Sequence, residues 1–157
     1  MSQKVEFYVG WHSLVNDFAI SGGWTFDGNA LVICDALGGV YVYEGDSGKQ
    51  IWSKINAHGN GALATSIHPL ENKFLTTGQD GNIFLWETNE NNYKKVINLG
   101  RNWVENVAWS IDGSLFAVSC SRKVYVFNKI GEKIWTSDDH ESTVSNIAWS
   151  INNELAT

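Results

Sequence analysis

Proline and methionine are almost absent from the sequence, at one residue each, and lysine plus arginine number only 11 against 17 aspartates and glutamates. The resulting net charge of −6 opposes a nucleic-acid footprint, which needs clustered lysine and arginine to neutralise phosphates. An acidic balance of this size chiefly keeps a protein soluble. Cysteine is scarce as well. Cys34 and Cys120 fall two repeat units apart, each in a second strand of its unit, so no disulfide is expected between them and both read as small buried apolar side chains. The opening segment MSQKVEFYV has no long apolar run, so neither a signal peptide nor a membrane span is expected, and the cytoplasm is the expected compartment.

What is abundant is aromatic. Eight tryptophans, seven phenylalanines and five tyrosines point to strands, where flat and β-branched side chains fit a pleated surface. A chain of 157 residues with a 43% apolar fraction has the size of one domain and enough apolar surface for a core. The expected class is all-β.

Repeats organise the chain. Strands of one type read GGVYVYE, GNIFLWE and RKVYVFN, with the aromatic position at Tyr43, Trp86 and Phe127. Strands of another type begin at Val15, Ala64, Val104 and Val144, and place Trp109 and Trp149 in register. A third register pairs Gly48-Lys49-Gln50-Ile51-Trp52-Ser53 with Gly131-Glu132-Lys133-Ile134-Trp135-Thr136. Three registers agreeing on one period make chance a poor explanation.

Each unit reads as four short antiparallel strands. Unit one, residues 15–54, takes Val15–Ser21, Ala30–Cys34, Val40–Tyr43 and Gln50–Lys54, with GGWTFDG as an insertion after its first strand. Unit two, residues 62–98, takes Ala62–Ile67, Lys73–Thr77, Asn82–Trp86 and Lys94–Asn98. Unit three, residues 104–136, takes Val104–Trp109, Leu115–Ser119, Lys123–Phe127 and Glu132–Thr136, and residues 144–157 begin a fourth. In unit two, Asp80-Gly81 between alternating segments is a hairpin signal, because glycine supplies the positive φ of a tight turn.

The stretch from Ala57 to Trp86, AHGNGALATSIHPLENKFLTTGQDGNIFLW, resembles a WD repeat of a β-propeller. The resemblance implies that the units are four-stranded blades. It also implies a hydrogen-bonded chain through His58, Thr76, Asp80 and Trp86, from indole to hydroxyl to imidazole to carboxylate, a structural network and not a catalytic site. Units one and three depart from the pattern: Trp11 and Leu37 stand where His58 and Asp80 stand, and Arg101 and Ser121 do so in unit three. The network is therefore expected to be absent from both. Lys4–Val9 resembles the N-terminal strand that such propellers lend to their last blade, and Glu154-Leu155-Ala156-Thr157 stops in mid-repeat. About three and a half blades form an incomplete ring, so the expectation is of further blades, in the same chain or in trans, to cover the open faces.

GGVYVYEGDSGKQIW, and more loosely KVYVFNKIGEKIW, also resemble the tryptophan-docking repeat of propellers that bind pyrroloquinoline quinone, which implies a dehydrogenase or a related assembly factor. Against it stand the lack of an export signal, of adjacent cysteines and of an acidic set for calcium. Trp52 and Trp135 are expected to pack between blades instead. The four histidines, His12, His58, His68 and His140, lack close metal-ligand spacing and have no local serine or cysteine nucleophile. Gly22-Gly23 and Gly38-Gly39 are turn glycines outside any phosphate-binding pattern. No cofactor, metal or catalytic residue is expected.

What remains is surface. Loops that begin the blades share one rim of a propeller, and this sequence puts Trp11, His12, His58, Arg101, Asn102, Trp103, Asp138, Asp139 and His140 there. Aromatics and arginine among carboxylates suit a protein-binding patch, with the alternative that Trp11 and Trp103 tuck under neighbouring loops. The expected function is a non-catalytic scaffold for a protein or peptide partner, with no nucleic acid or membrane involved.

Overall fold

Alternating residues along each strand point to opposite faces, and in this chain both faces are apolar, so every sheet must be covered on two sides. The structure, a computed structural model that describes residues 9–157, meets that demand by stacking sheets side by side. The first sheet holds β1 (Ala19–Trp24), β2 (Ala30–Asp35), β3 (Val40–Glu44) and β4 (Gln50–Lys54) in that order. The second holds β5 (Ala62–Ile67), β6 (Lys73–Gly78), β7 (Asn82–Glu87) and β8 (Tyr93–Asn98). The third holds β9 (Val104–Trp109), β10 (Leu115–Cys120), β11 (Lys123–Asn128) and β12 (Lys133–Thr136). A two-stranded sheet of β13 (Ala148–Trp149) and β14 (Leu155–Ala156) follows. All pairings are antiparallel between strands adjacent in sequence. Among the described residues no helix is long and apolar enough to cross a membrane. The closing strand expected at Lys4–Val9 lies, apart from Val9, outside the described residues.

Successive sheets share cores. Val32, Cys34, Val40 and Val42 of the first sheet meet Phe74, Phe84 and Trp86 of the second, and Trp52 is inserted between them. Trp52 is 8% exposed, stacks 5.8 Å from Trp86 and 6.2 Å from Phe74, and donates its Nε1–H to the Thr88 carbonyl at 2.7 Å. The opposite face of the second sheet, Leu75 and Ile83, meets Val107, Trp109, Phe116 and Phe127 of the third. Ala117, Val124 and Val126 then meet Val144 and Ile147. Both cysteines are buried and free, as their apolar reading requires. Burial pushes the Cys34 thiol up to about 12 and the Cys120 thiol up to about 11.

The sheets are also tied at one end by a repeated backbone contact. The turn carbonyl of Gly38 accepts the His58 N–H at 3.0 Å, that of Gly81 accepts the Leu99 N–H at 2.9 Å, and that of Ser121 accepts the Val144 N–H at 3.0 Å. Each joins the turn between the middle strands of one sheet to the loop that leads into the next. Gly38 and Gly81 have φ of +87° and +75°, and a Cβ at either would collide with the carbonyl of His58 or Gly100. Glycine is required twice over at both places.

Two expectations need correction. The first strand of unit one runs Ala19–Trp24 rather than Val15–Ser21, so GGW is not an insertion but the end of the strand. Its glycines are a packing requirement, since side chains there would strike the Val32 carbonyl and Ile67. Trp135, third residue of β12 as Trp52 is third in β4, is 51% exposed instead of packed between sheets.

Candidate functional site

The second sheet carries the polar chain. Thr76 is the fourth residue of β6 and Trp86 the fifth of β7, and the register sets Thr76 opposite Phe84 and Phe74 opposite Trp86. The Trp86 Nε1–H donates to Thr76 Oγ1 at 2.8 Å. His58 Nε2 lies 2.8 Å from the same hydroxyl, and His58 Nδ1 lies 3.0 Å from Asp80 Oδ1. One proton arrangement satisfies every member: the hydroxyl donates to Nε2, and Nδ1–H donates to the carboxylate. His58 and Thr76 are wholly buried, and His58 also packs on Phe84 at 4.6 Å between ring centroids. Asp80 further accepts the Gly59 and Asn82 backbone N–H groups. Burial alone raises its carboxyl, but hydrogen bonds from His58 and Asn82 outweigh this and hold it below its ordinary value.

The neighbouring sheets solve the same place differently. In the first, Asp35 is fully buried and accepts the Tyr41 hydroxyl at 2.6 Å and the Gly39 N–H at 2.7 Å. Burial first, and the hydrogen bond to Asp35 second, push the Tyr41 phenol up to about 12. Leu37, in the turn position of Asp80, is exposed. In the third sheet Val118 is the fourth residue of β10, where Thr76 stands in β6, so no hydroxyl is offered. Its turn is also shorter: Ser121 and Arg122 alone join β10 to β11, where Gln79, Asp80 and Gly81 join β6 to β7. The Asp35–Tyr41 pair went unread in the sequence, although an aspartate six residues before a strand tyrosine was its signal.

Antiparallel order puts the loops β4–β5, β8–β9 and β12–β13 at one end of the sheets, together with the turns β2–β3, β6–β7 and β10–β11. Arg101 and Asn102 are exposed there, and Trp103 is 52% exposed. On the next loop the His140 ring lies 2.8 Å from Thr157 Oγ1 and 3.1 Å from the Arg122 carbonyl, and Asp139 pairs with Lys123 at 3.4 Å. Trp11 is elsewhere. It caps the β3–β4 turn at the other end, donating Nε1–H to the Gly45 carbonyl at 2.7 Å and packing on Trp24 and Tyr43. His12, beside it, is exposed. The structure therefore gathers Arg101, Trp103, Asp139 and His140 at one end, leaves His58 buried beneath that end, and separates Trp11 from them.

The other end carries a feature that sequence reading passed over. His68, a turn histidine by its Pro69 neighbour, is buried, 4.5 Å from the Trp109 ring, with Nε2 3.1 Å from the Gly113 carbonyl. Its Nδ1 accepts the N–H groups of Leu70 and Glu71, so Nε2 carries the proton. Burial lowers its pKa below the ordinary histidine value. Gly113 is the residue whose missing side chain admits the ring.

Comparison with known proteins adds three findings. Residues 48–87 match the family described as WD domain, G-beta repeat. Among curated proteins, WD repeat-containing protein 1 of Mus musculus is 26% identical over 132 residues, covering 80% of this chain and 21% of the relative. Among solved structures, that of U3-55K aligns with a TM-score of 0.77 at 16% identity, over 87% of this chain and 43% of that one. The chain thus spans less than half the length of either.

Proposed function

We propose that the chain is a run of WD-repeat blades acting as a non-catalytic scaffold that holds a protein or peptide partner against the loops that lead into its blades. The observation that carries this reading is Trp103, a large aromatic left half exposed between Arg101 and Asn102 on one side and a buried Val104 on the other. An aromatic anchored by its backbone neighbour and flanked by arginine is the composition of an energetic centre in protein interfaces. Asp138, Asp139 and His140 on the next loop extend the same rim with hydrogen-bonding groups.

Non-catalysis is supported by how the His58–Asp80 pair is used. His58 and Asp80 have the geometry of an oriented base, but the hydroxyl beside them is buried and accepts the Trp86 indole. His58 and Thr76 are wholly buried, so a substrate has no approach to the imidazole or the hydroxyl, and their hydrogen bonds already satisfy one another. The quinoprotein reading rested on the Gly48-Lys49 turn and Trp52. Those residues fall inside the WD-repeat match, and Trp52 is occupied between two blades.

The half-exposed Trp135 and the concavity of about 650 Å³ that it lines with Trp149 and Leu155 favour further blades, in the same chain or in trans, on that face. The acidic balance favours partners other than nucleic acid, and the cytoplasm is the proposed compartment.

A displayed peptide library selected on the whole chain tests the scaffold reading. Selected peptides should lose binding to Trp103→Ala while its thermal unfolding matches the parent. Peptides indifferent to both Trp103→Ala and Arg101→Glu would contradict the assigned rim.

A further inference from the structure

Each of the three four-stranded blades joins its first two strands through a turn at the end away from Trp103: residues 25–29, 68–72 and 110–114. In all three the first turn residue donates its N–H to the residue that opens the next strand, Thr25 to Ala30, His68 to Lys73 and Ser110 to Leu115. Blades one and three use a hydroxyl there. Thr25 Oγ1 donates to Asp27 at 2.7 Å and Ser110 Oγ donates to Asp112 at 2.7 Å. Each aspartate then reaches the following blade, Asp27 accepting from Asn72 Nδ2 at 3.3 Å and Asp112 from Asn153 Nδ2 at 2.8 Å. Blade two has Leu70 in the place of the aspartate. Its tie to blade three at this end is His68 itself, whose Nε2–H donates to the Gly113 carbonyl at 3.1 Å.

These ties differ in their response to acid. Hydrogen bonds, led by those of the Thr25 and Ser110 hydroxyls, hold Asp27 down to about 2 and Asp112 well below the ordinary carboxylate range. Both stay ionised through mildly acid pH, where histidine changes its charge. The His68 ring, 2% exposed, has no place for a second proton. Nδ1 accepts the N–H groups of Leu70 at 3.1 Å and Glu71 at 3.0 Å, so a proton there would point at two donors. A ring flip would instead take Nδ1 away and strand both. The charged groups around the ring do not favour a cation, since Glu71 and Lys73 from its own blade and Asp112 and Lys129 from blade three give two of each sign. Glu71, 3.9 Å from Nε2, is held by Lys73, and Asp112 is held by Ser110, Ser114 and Asn153.

We propose that His68 is an acid-released latch: a proton from solvent on Nδ1 detaches the 68–72 turn from the Gly113 carbonyl and uncovers the Trp109 ring, opening the junction of blades two and three at this end while the Asp27–Asn72 tie between blades one and two holds. Burial, the largest influence on the ring, lowers its folded pKa below the ordinary 6.5. The unfolded chain therefore takes the proton first. The stability that the latch contributes is full above about 6.5 and is lost as pH falls from there through the lowered folded value. The latch stands whether or not the rim around Trp103 holds a partner.

Proton–nitrogen NMR spectra of the whole chain, recorded from about pH 7.5 to about pH 4.5, test this. The Leu70 and Glu71 amides and the Trp109 indole should move in one step with the His68 ring, at a midpoint below about 6.5, while the Trp52 indole N–H between blades one and two stays in place. A His68 ring that titrates with the Leu70 and Glu71 amides unmoved would overturn the latch. So would a Trp52 indole that moves in the same step, because that is unfolding of the whole chain. His68→Asn offers a side-chain oxygen to the same N–H groups and does not titrate. In urea unfolding at stepped pH, the folded-to-unfolded ratio of the parent should fall relative to this variant by up to about tenfold per pH unit below about 6.5. Parallel pH dependence of the two would also overturn the assignment. Should the variant not fold, the spectra of the parent decide alone.

Discussion

Thr76→Val removes one oxygen from the middle of the second blade and almost nothing else. The valine has the shape of threonine, and blade three already carries a valine, Val118, at the corresponding strand position. What changes is polar satisfaction: the Trp86 Nε1–H and His58 Nε2 both lose their partner in a wholly buried setting. Each stranded group costs about 1–3 kcal/mol, and some relaxation is available to the histidine, so a loss of about 2–4 kcal/mol is expected. Against a total of about 5–15 kcal/mol for a domain, that is large. Urea unfolding followed by tryptophan fluorescence and far-ultraviolet circular dichroism reads it directly, with Thr76→Ser as the control that keeps the hydroxyl. A double-mutant cycle with Trp86→Phe should show coupling of about 1 kcal/mol or more. If Thr76→Val falls within about 0.5 kcal/mol of the parent, the chain of hydrogen bonds contributes nothing and the reasoning fails.

The remaining predictions follow from single positions. Asp80 has a folded pKa below its ordinary 3.8, so the stability it contributes is full above that value and is lost as pH falls through the lowered one. Asp80→Asn should flatten that part of an acid unfolding profile and leave the neutral side unchanged in slope. Gly28 and Gly38 both have positive φ, but a Cβ at Gly28 meets open space and one at Gly38 meets the His58 carbonyl. Gly28→Ala should therefore cost only the backbone strain of about 1–2 kcal/mol, and Gly38→Ala clearly more, compared by thermal unfolding. Trp52→Ala should cost about 3–5 kcal/mol as a core truncation, while Trp135→Ala, at the same strand position but half exposed, should cost under about 1 kcal/mol.

The second blade was legible because its turn chemistry and its strand alternation agree. Asp80-Gly81 demanded a positive φ, Gly81 has it, and the register then follows residue by residue from Thr77–Ile83 to Phe74–Trp86. The start of blade one was not legible for the opposite reason. Gly22 and Gly23 weaken a strand signal, and only the three-dimensional approach of Val32 and Ile67 explains why they sit in one. Trp11 was placed on the rim by counting back from a strand start that lies four residues too early, Val15 instead of Ala19. His68 reads as a turn residue because Pro69 follows it. Its burial depends on Gly113 and Trp109, which belong to another blade and leave no local mark. Trp52 and Trp135 have the same local sequence and different surroundings, so no reading of either strand alone could separate them.

The central claim is that neighbouring blades share a core in which the Trp52 indole of blade one sits on Phe74 and Trp86 of blade two and is hydrogen-bonded to the Thr88 carbonyl. Nuclear Overhauser contacts from the assigned Trp52 indole test it most directly. The structure predicts strong contacts to the Phe74 and Trp86 rings and an indole N–H protected from exchange; contacts confined to residues 19–54, with a freely exchanging N–H, would contradict it.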